Sequence, residues 1–161
     1  MNSILHEEKF ETFATRHGIA TEPHAKRAII EVLKSNGHKK VQHESMGTLI
    51  SDQYPFLSAS PDLKVSCGCC GVGLVEIKCP YNIREKSPCP EELPQLSKNT
   101  DGSFHLKTAH SHFYQIQCQL GISKLKYCYY FVFTHHGHFI EKIEFNQSIY
   151  QHILENTSLF W

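Results

Sequence analysis

The stretch SASPDLKVSCGCCGVGLVEIKCPY, residues 58–81, decides how this chain is read. Asp62 follows a proline, a Cys/Gly-rich insertion comes next, and an apolar run from Gly73 to Cys79 is then interrupted by Glu76 and Lys78. Side chains alternate along a strand, so Leu74, Glu76 and Lys78 share one face and Val75, Ile77 and Cys79 the other. One face of a strand otherwise fit for burial thus carries a carboxylate and an ammonium. Burying either group alone is costly, which favours a shared partner such as a cation and its bound water. A solvated edge strand is the competing account of an isolated Glu-x-Lys. Context argues for the first: Asp62 lies upstream, and the strands before and after the Cys/Gly turn are placed to pair as neighbours.

Working outward, 161 residues suffice for one well-packed domain over 1–161, and no internal repeat, low-complexity tract or linker divides it. Sixteen basic residues balance sixteen acidic ones, with twelve histidines besides. The chain therefore lacks the basic excess that announces a nucleic-acid partner, although acidic site residues cancel basic ones in such a sum. Seven cysteines, an odd number, argue against a full disulfide framework. With no signal-peptide pattern and no apolar run of membrane-spanning length, a soluble protein of a reducing, intracellular compartment is expected, nucleus and cytoplasm both left open.

Upstream, a helix is expected through Leu5, Phe10 and Phe13, ended by Gly18. A second follows over Glu22 to Lys34, with its apolar stripe on Ala25, Ala28, Ile29, Val32 and Leu33, Thr21 as cap and Gly37 just past its end. Glu22 on this reading is a first-turn acid facing the helix dipole. Short extended runs at 41–44, 48–51 and 56–60 read as a meander leading into Asp62. Downstream, Pro88, Pro90 and Pro94, with Pro80 just before them, make residues 81–106 irregular, apart from a hairpin turn at Asp101-Gly102. Such a segment beside a site is a candidate substrate contact. A helix from Thr108 to about Gly121, a buried strand over 127–134, a partner strand over 138–145 and a closing helix over 147–155 complete a mixed sheet flanked by helices.

Cys67, Cys69 and Cys70 invite a structural zinc reading, with Cys79 or Cys89 as the remaining ligand. Cys67 and Cys70 form one C-x-x-C pair, but no second pair follows, so the spacing favours a hairpin tip of unliganded thiols.

The words SASPD, VEIKCPY and LKTAHSHFYQIQCQL, in the order Asp, Glu-x-Lys, resemble the YqaJ-like viral recombinase family, relatives of phage lambda exonuclease among the PD-(D/E)xK nucleases. HGIATEPHA resembles the family's Gly-x-x-x-Glu helix start, whose Glu faces the metal site. The resemblance, which runs from about His17 to Phe133, implies a restriction-endonuclease-like α/β core, Mg²⁺ with Mn²⁺ as a substitute, and DNA, as linear duplex ends, for substrate. It implies Asp62, Glu76 and the Ile77 carbonyl as metal ligands, Lys78 as the group that holds and activates water, Glu22 at a second metal or its water shell, and Gln115 as the residue orienting Lys78 or a phosphate oxygen. It also implies 5′-to-3′ exonuclease action in recombination or mobile-element DNA processing, and a ring-shaped homo-oligomer. Leu63 stands where the family usually has Gly after the Asp, which puts the turn's geometry in question. Relatives carry a DNA-binding segment ahead of the first helix, so a shortened copy or part of a longer protein is expected. The alternatives are a degenerate nucleic-acid-binding module and a zinc-stabilised interaction domain.

Overall fold

The computed structural model describes residues 12–158. A five-stranded sheet lies at its centre, in the order β1 (Gln42–Ser45), β4 (Leu63–Cys67), β5 (Gly71–Lys78), β8 (Tyr127–Thr134), β9 (Gly137–Glu144). All neighbours are antiparallel except β5 and β8, which run parallel, so the sheet is mixed. β5 is the middle strand, with Leu74 through Ile77 buried, and the solvated-edge account of Glu76 and Lys78 falls with that placement. The Cys/Gly turn joins β4 to β5 as a hairpin, Cys67 opposite Gly71.

Helix α1 (Phe13–Ser35) covers one sheet face, packing Ala25, Ile29 and Leu33 on Val65, Val75, Ile77 and Phe131. It is continuous where two helices were expected. Gly18 does not take the left-handed conformation that ends a helix, and Thr21 is a buried interior residue rather than a cap. Pro23 sits on the exposed side. The carbonyl it leaves without a helical partner belongs to Ile19, itself exposed and so open to solvent. The expected stop is real: Gly37 has φ +86°, its N–H bonds to the Lys34 carbonyl and that of His38 to the Leu33 carbonyl, a Schellman closure. Leu5 and Phe10 lie outside the described residues.

Helix α2 (Ser111–Ser123) covers the opposite face, Ile116 and Leu120 meeting Leu74, Cys128, Tyr130 and Val132. Residues 81–106 close the same face with two short 3₁₀ turns and the hairpin β6 (Leu96–Lys98) and β7 (Phe104–Leu106), burying Ile83, Leu93, Leu96 and Leu106. The helix runs through Gly121, because that glycine marks a close approach: a Cβ there would lie 2.2 Å from the Tyr150 ring of α3 (Gln147–Ser158). Lys124 caps it instead, in the left-handed conformation.

The expected meander is also different. β2 (Leu49–Ile50) and β3 (Ser58–Ala59) pair only with each other, while β1 joins the main sheet beside β4. Extended runs this short record strand character but not partners.

Candidate active site

β4 begins at Leu63, so at the end of β5 the strand runs on past its neighbour. Asp62 occupies the gap. Its N–H bonds to the Val75 carbonyl at 3.2 Å, and its Oδ2 accepts the Ile77 N–H at 2.6 Å. The carboxylate thus takes the place of a missing ladder partner. Leu63 does no harm in the position of the family's glycine, being 1% exposed and paired with Val75. N–H and C=O of one strand residue point to the same side, which sends the Ile77 carbonyl toward the same gap.

Glu76 is 3% exposed, with both carboxylate oxygens hydrogen-bonded. Its Oε1 accepts Lys78 Nζ at 2.6 Å and Gln115 Nε2 at 2.8 Å, and its Oε2 accepts Gln119 Nε2 at 2.7 Å. Gln115 Oε1 in turn accepts Lys78 Nζ at 3.1 Å. Three bonds satisfy three of the carboxylate's roughly four lone-pair directions and leave one. Lys78 likewise gives two of its three N–H donors to these neighbours and keeps a third. Gln119 was not singled out in the sequence. Its signal was the spacing of Gln115 and Gln119, one helical turn apart and so on one face. The intervening Gln117 points elsewhere and braces the end of β9, bonding to Glu144 and Asn146.

The electrostatics record convergence of like charges. Asp62 is pushed up to about 6, by burial first and then by Glu76, with Glu22 adding to the rise and the Ile77 N–H and Lys78 opposing it. Cys79, on the α1 face, is raised to about 11 by burial and by the charges of Glu22 and Asp62. Glu22 lies in mid-helix rather than in a first turn, near enough for its charge to raise both Asp62 and Cys79, and it pairs with Lys26 at 2.7 Å. On the other face His112 is lowered to about 4 by burial and by Lys78 and His110, and its Nδ1 lies 2.8 Å from the Tyr130 hydroxyl. Near neutral pH that imidazole is uncharged.

Of the predicted residues, Asp62, Glu76, Ile77, Lys78 and Gln115 are thus grouped where β5 outruns β4, and Glu22 acts on Asp62 through its charge from α1. Cys67, Cys69 and Cys70 are at the other end of the hairpin. The remaining group beside them is His38, not Cys79 or Cys89: its Nδ1 and the three sulfurs lie within 4.8 Å of one another. Cys79 is on the opposite side of the hairpin's length, packed with the α1 core.

A mixed sheet between helices, with Asp62 and the Glu76-x-Lys78 pair together where β5 outruns β4, defines the restriction-endonuclease-like α/β class. Two structures of LHK-Exo share the fold at 21% identity. One, in complex with dAMP, aligns with a TM-score of 0.63 over 94% of this chain and 68% of the other. A second, the alkaline exonuclease LHK-Exo from Laribacter hongkongensis, aligns at 0.58 over 93% and 68%. The chain belongs to the YqaJ-like viral recombinase domain family, whose family model matches residues 1–126. Among curated proteins none matches it in sequence. No helix among the described residues is long and apolar enough to cross a membrane.

Proposed function

We propose that the chain is a metal-dependent DNA nuclease of the lambda exonuclease type, degrading linear duplex DNA from 5′ ends with Mg²⁺, for which Mn²⁺ substitutes. The observation that carries this reading is Asp62 bonded to the N–H of Ile77, the residue between Glu76 and Lys78, with Lys78 bonded to both Glu76 and Gln115. Family membership and the likeness to an alkaline exonuclease, one structure of which holds dAMP, support DNA as the substrate.

The residues present fit a hard cation. Repulsion from Glu76 and Glu22 is what raises Asp62 beyond the effect of burial, and a divalent ion offsets that repulsion. Asp62, Glu76 and the Ile77 carbonyl would hold it, all oxygen donors suited to Mg²⁺, with Glu22 serving a second ion or its waters. Bound there, the ion supplies Lewis-acid stabilisation of phosphate charge and a more acidic water. Lys78 aims its remaining N–H donor at a water or phosphate oxygen. Gln115 and Gln119 fix the Glu76 carboxylate, and through it the ammonium, so that neither must reorganise when substrate arrives.

Incubation of end-labelled linear duplex carrying a 5′-phosphate or a 5′-hydroxyl, with Mg²⁺ or Mn²⁺, tests the proposal. Progressive release of mononucleotides from the 5′ end is expected. Binding without any loss of DNA would make the chain a recognition module.

A further inference from the structure

We propose that His38, Cys67, Cys69 and Cys70 form a closed, structural Zn²⁺ site that fastens the end of α1 to the β4–β5 hairpin, independent of the carboxylate site. Zinc in a structural site is tetrahedral, with Zn–S near 2.3 Å and Zn–N near 2.0–2.1 Å, so its ligand atoms lie about 3.8 Å apart between sulfurs and about 3.6 Å between sulfur and nitrogen. The observed separations are of that size. His38 Nδ1 is 3.2, 3.5 and 3.6 Å from the sulfurs of Cys69, Cys67 and Cys70. Cys69 Sγ is 3.3 Å from Cys67 Sγ and 3.8 Å from Cys70 Sγ. All three thiols are free, so no disulfide explains the approach.

The surroundings are those of a ligand shell. A ligating imidazole needs its second nitrogen oriented by another group, and His38 Nε2 faces the Tyr129 hydroxyl at 3.4 Å. The Cys70 N–H donates to Cys67 Sγ at 3.3 Å, the kind of amide–sulfur bond that stabilises a thiolate. Gly68 N–H donates to the Lys39 carbonyl at 2.9 Å, which brings the turn against the segment that carries His38. That segment is itself set by the Schellman closure of α1, with His38 as the residue immediately after Gly37. Three sulfurs and one nitrogen in so small a volume suit a single soft-to-borderline ion, and four protein ligands leave no open position for catalysis.

The ion would add a bonded link between two elements that already pack against each other through the core. Its site is also at the far end of the strands that carry Asp62 and Glu76, so it holds the hairpin without touching the reacting groups.

Zinc analysis of the full chain, purified with a reductant and without chelator, tests this directly. About one zinc per chain is expected in the parent and in Asp62→Asn and Cys89→Ser, with a large loss in Cys67→Ser and Cys70→Ser. His38→Cys, which restores a fourth ligand, should keep the ion where His38→Ala loses it. Co²⁺ exchanged into the parent should show intense thiolate-to-metal absorption. Where a cysteine variant fails to fold, the parent measurement still decides. A folded parent with essentially no zinc and no cobalt–thiolate bands overturns the proposal, as does equal loss of zinc from Cys89→Ser. Loss of zinc from Asp62→Asn would mean that the ion sits in the carboxylate site instead.

Discussion

Asp62 concentrates the chemistry of the site in one side chain. Its pKa of about 6 against an ordinary 3.8 means that the folded chain holds the proton more tightly than the unfolded chain. That contribution favours folding below about pH 4 and is lost as pH rises through 6. Asp62→Asn keeps an oxygen for the Ile77 N–H and removes the charge. Metal-free Asp62→Asn should therefore melt above the parent at pH 8, by a fraction of the roughly 3 kcal/mol that two pH units represent, and no higher than the parent near pH 4. Mg²⁺ should raise the parent's melting temperature and leave the variant's unchanged. Equal metal-induced shifts would remove Asp62 from the ligand set. Lys78→Met separates a different role. Gln115 and Gln119 still hold Glu76 in this variant, so calorimetric Mn²⁺ titration should show the metal bound while single-turnover cleavage slows by about 100-fold or more. A Lys78→Met protein cutting at the parent rate would make Lys78 a mere counter-charge. Gln119→Leu strips a buried carboxylate oxygen of its donor. It should lower stability by about 1–3 kcal/mol, read by denaturant titration, and reduce cleavage with it.

At the scale of elements, α2 has two duties on opposite sides: it delivers Gln115 and Gln119 to β5, and it receives α3 through Gly121. Glycine inside a helix ordinarily costs about 1 kcal/mol relative to alanine, which would make Gly121→Ala stabilising. The Tyr150 ring reverses the sign. It is 8% exposed among Leu57, Leu154 and Phe145, and an added methyl would fall 2.2 Å from it. Overpacking of this kind costs about 1–3 kcal/mol, so Gly121→Ala should lower the melting temperature and Gly121→Ala with Tyr150→Leu should recover part of the loss. A more stable single variant would show that α3 can yield. The C-terminus of α1 was legible for the complementary reason: only a left-handed residue completes a Schellman closure, and Gly37 supplies it locally. Gly18 and Thr21 misled because capping residues also occur in helix interiors, and packing on the sheet settled which they were.

For the molecule as a whole, zero net charge leaves DNA attraction to local patches. Lys124, Lys126 and Lys142 line a cleft beside Cys70 and Tyr127, and Lys39 and Lys40 lie near the same cysteine turn, at the end of the sheet away from Asp62. A duplex reaching both ends would place phosphates on these lysines while one bond is cut at the carboxylates. Four such contacts would weaken binding by about 100-fold between about 50 and 200 mM salt, measurable by fluorescence anisotropy with the Asp62→Asn protein. Affinity indifferent to salt would exclude backbone phosphates as the main contact.

By itself the sequence determined what depends on neighbours along the chain. The alternation from Gly73 to Cys79, the turn between two strands at the cysteines, the continuous apolar run over Tyr127–Thr134 and the helix stop at Gly37 are all local patterns, and each is present in the fold. Motif order brought Asp62, Glu76 and Lys78 to notice together, and the family resemblance added Gln115. Tertiary structure alone decided that β5 is the middle strand, that Gln119 meets Glu76, and that His38 rather than Cys79 or Cys89 stands among the cysteines. Periodicity records how far a residue is buried and on which face, whereas a partner 29 to 43 positions away is chosen by how helices and strands pack. That choice has no signature in either segment taken alone.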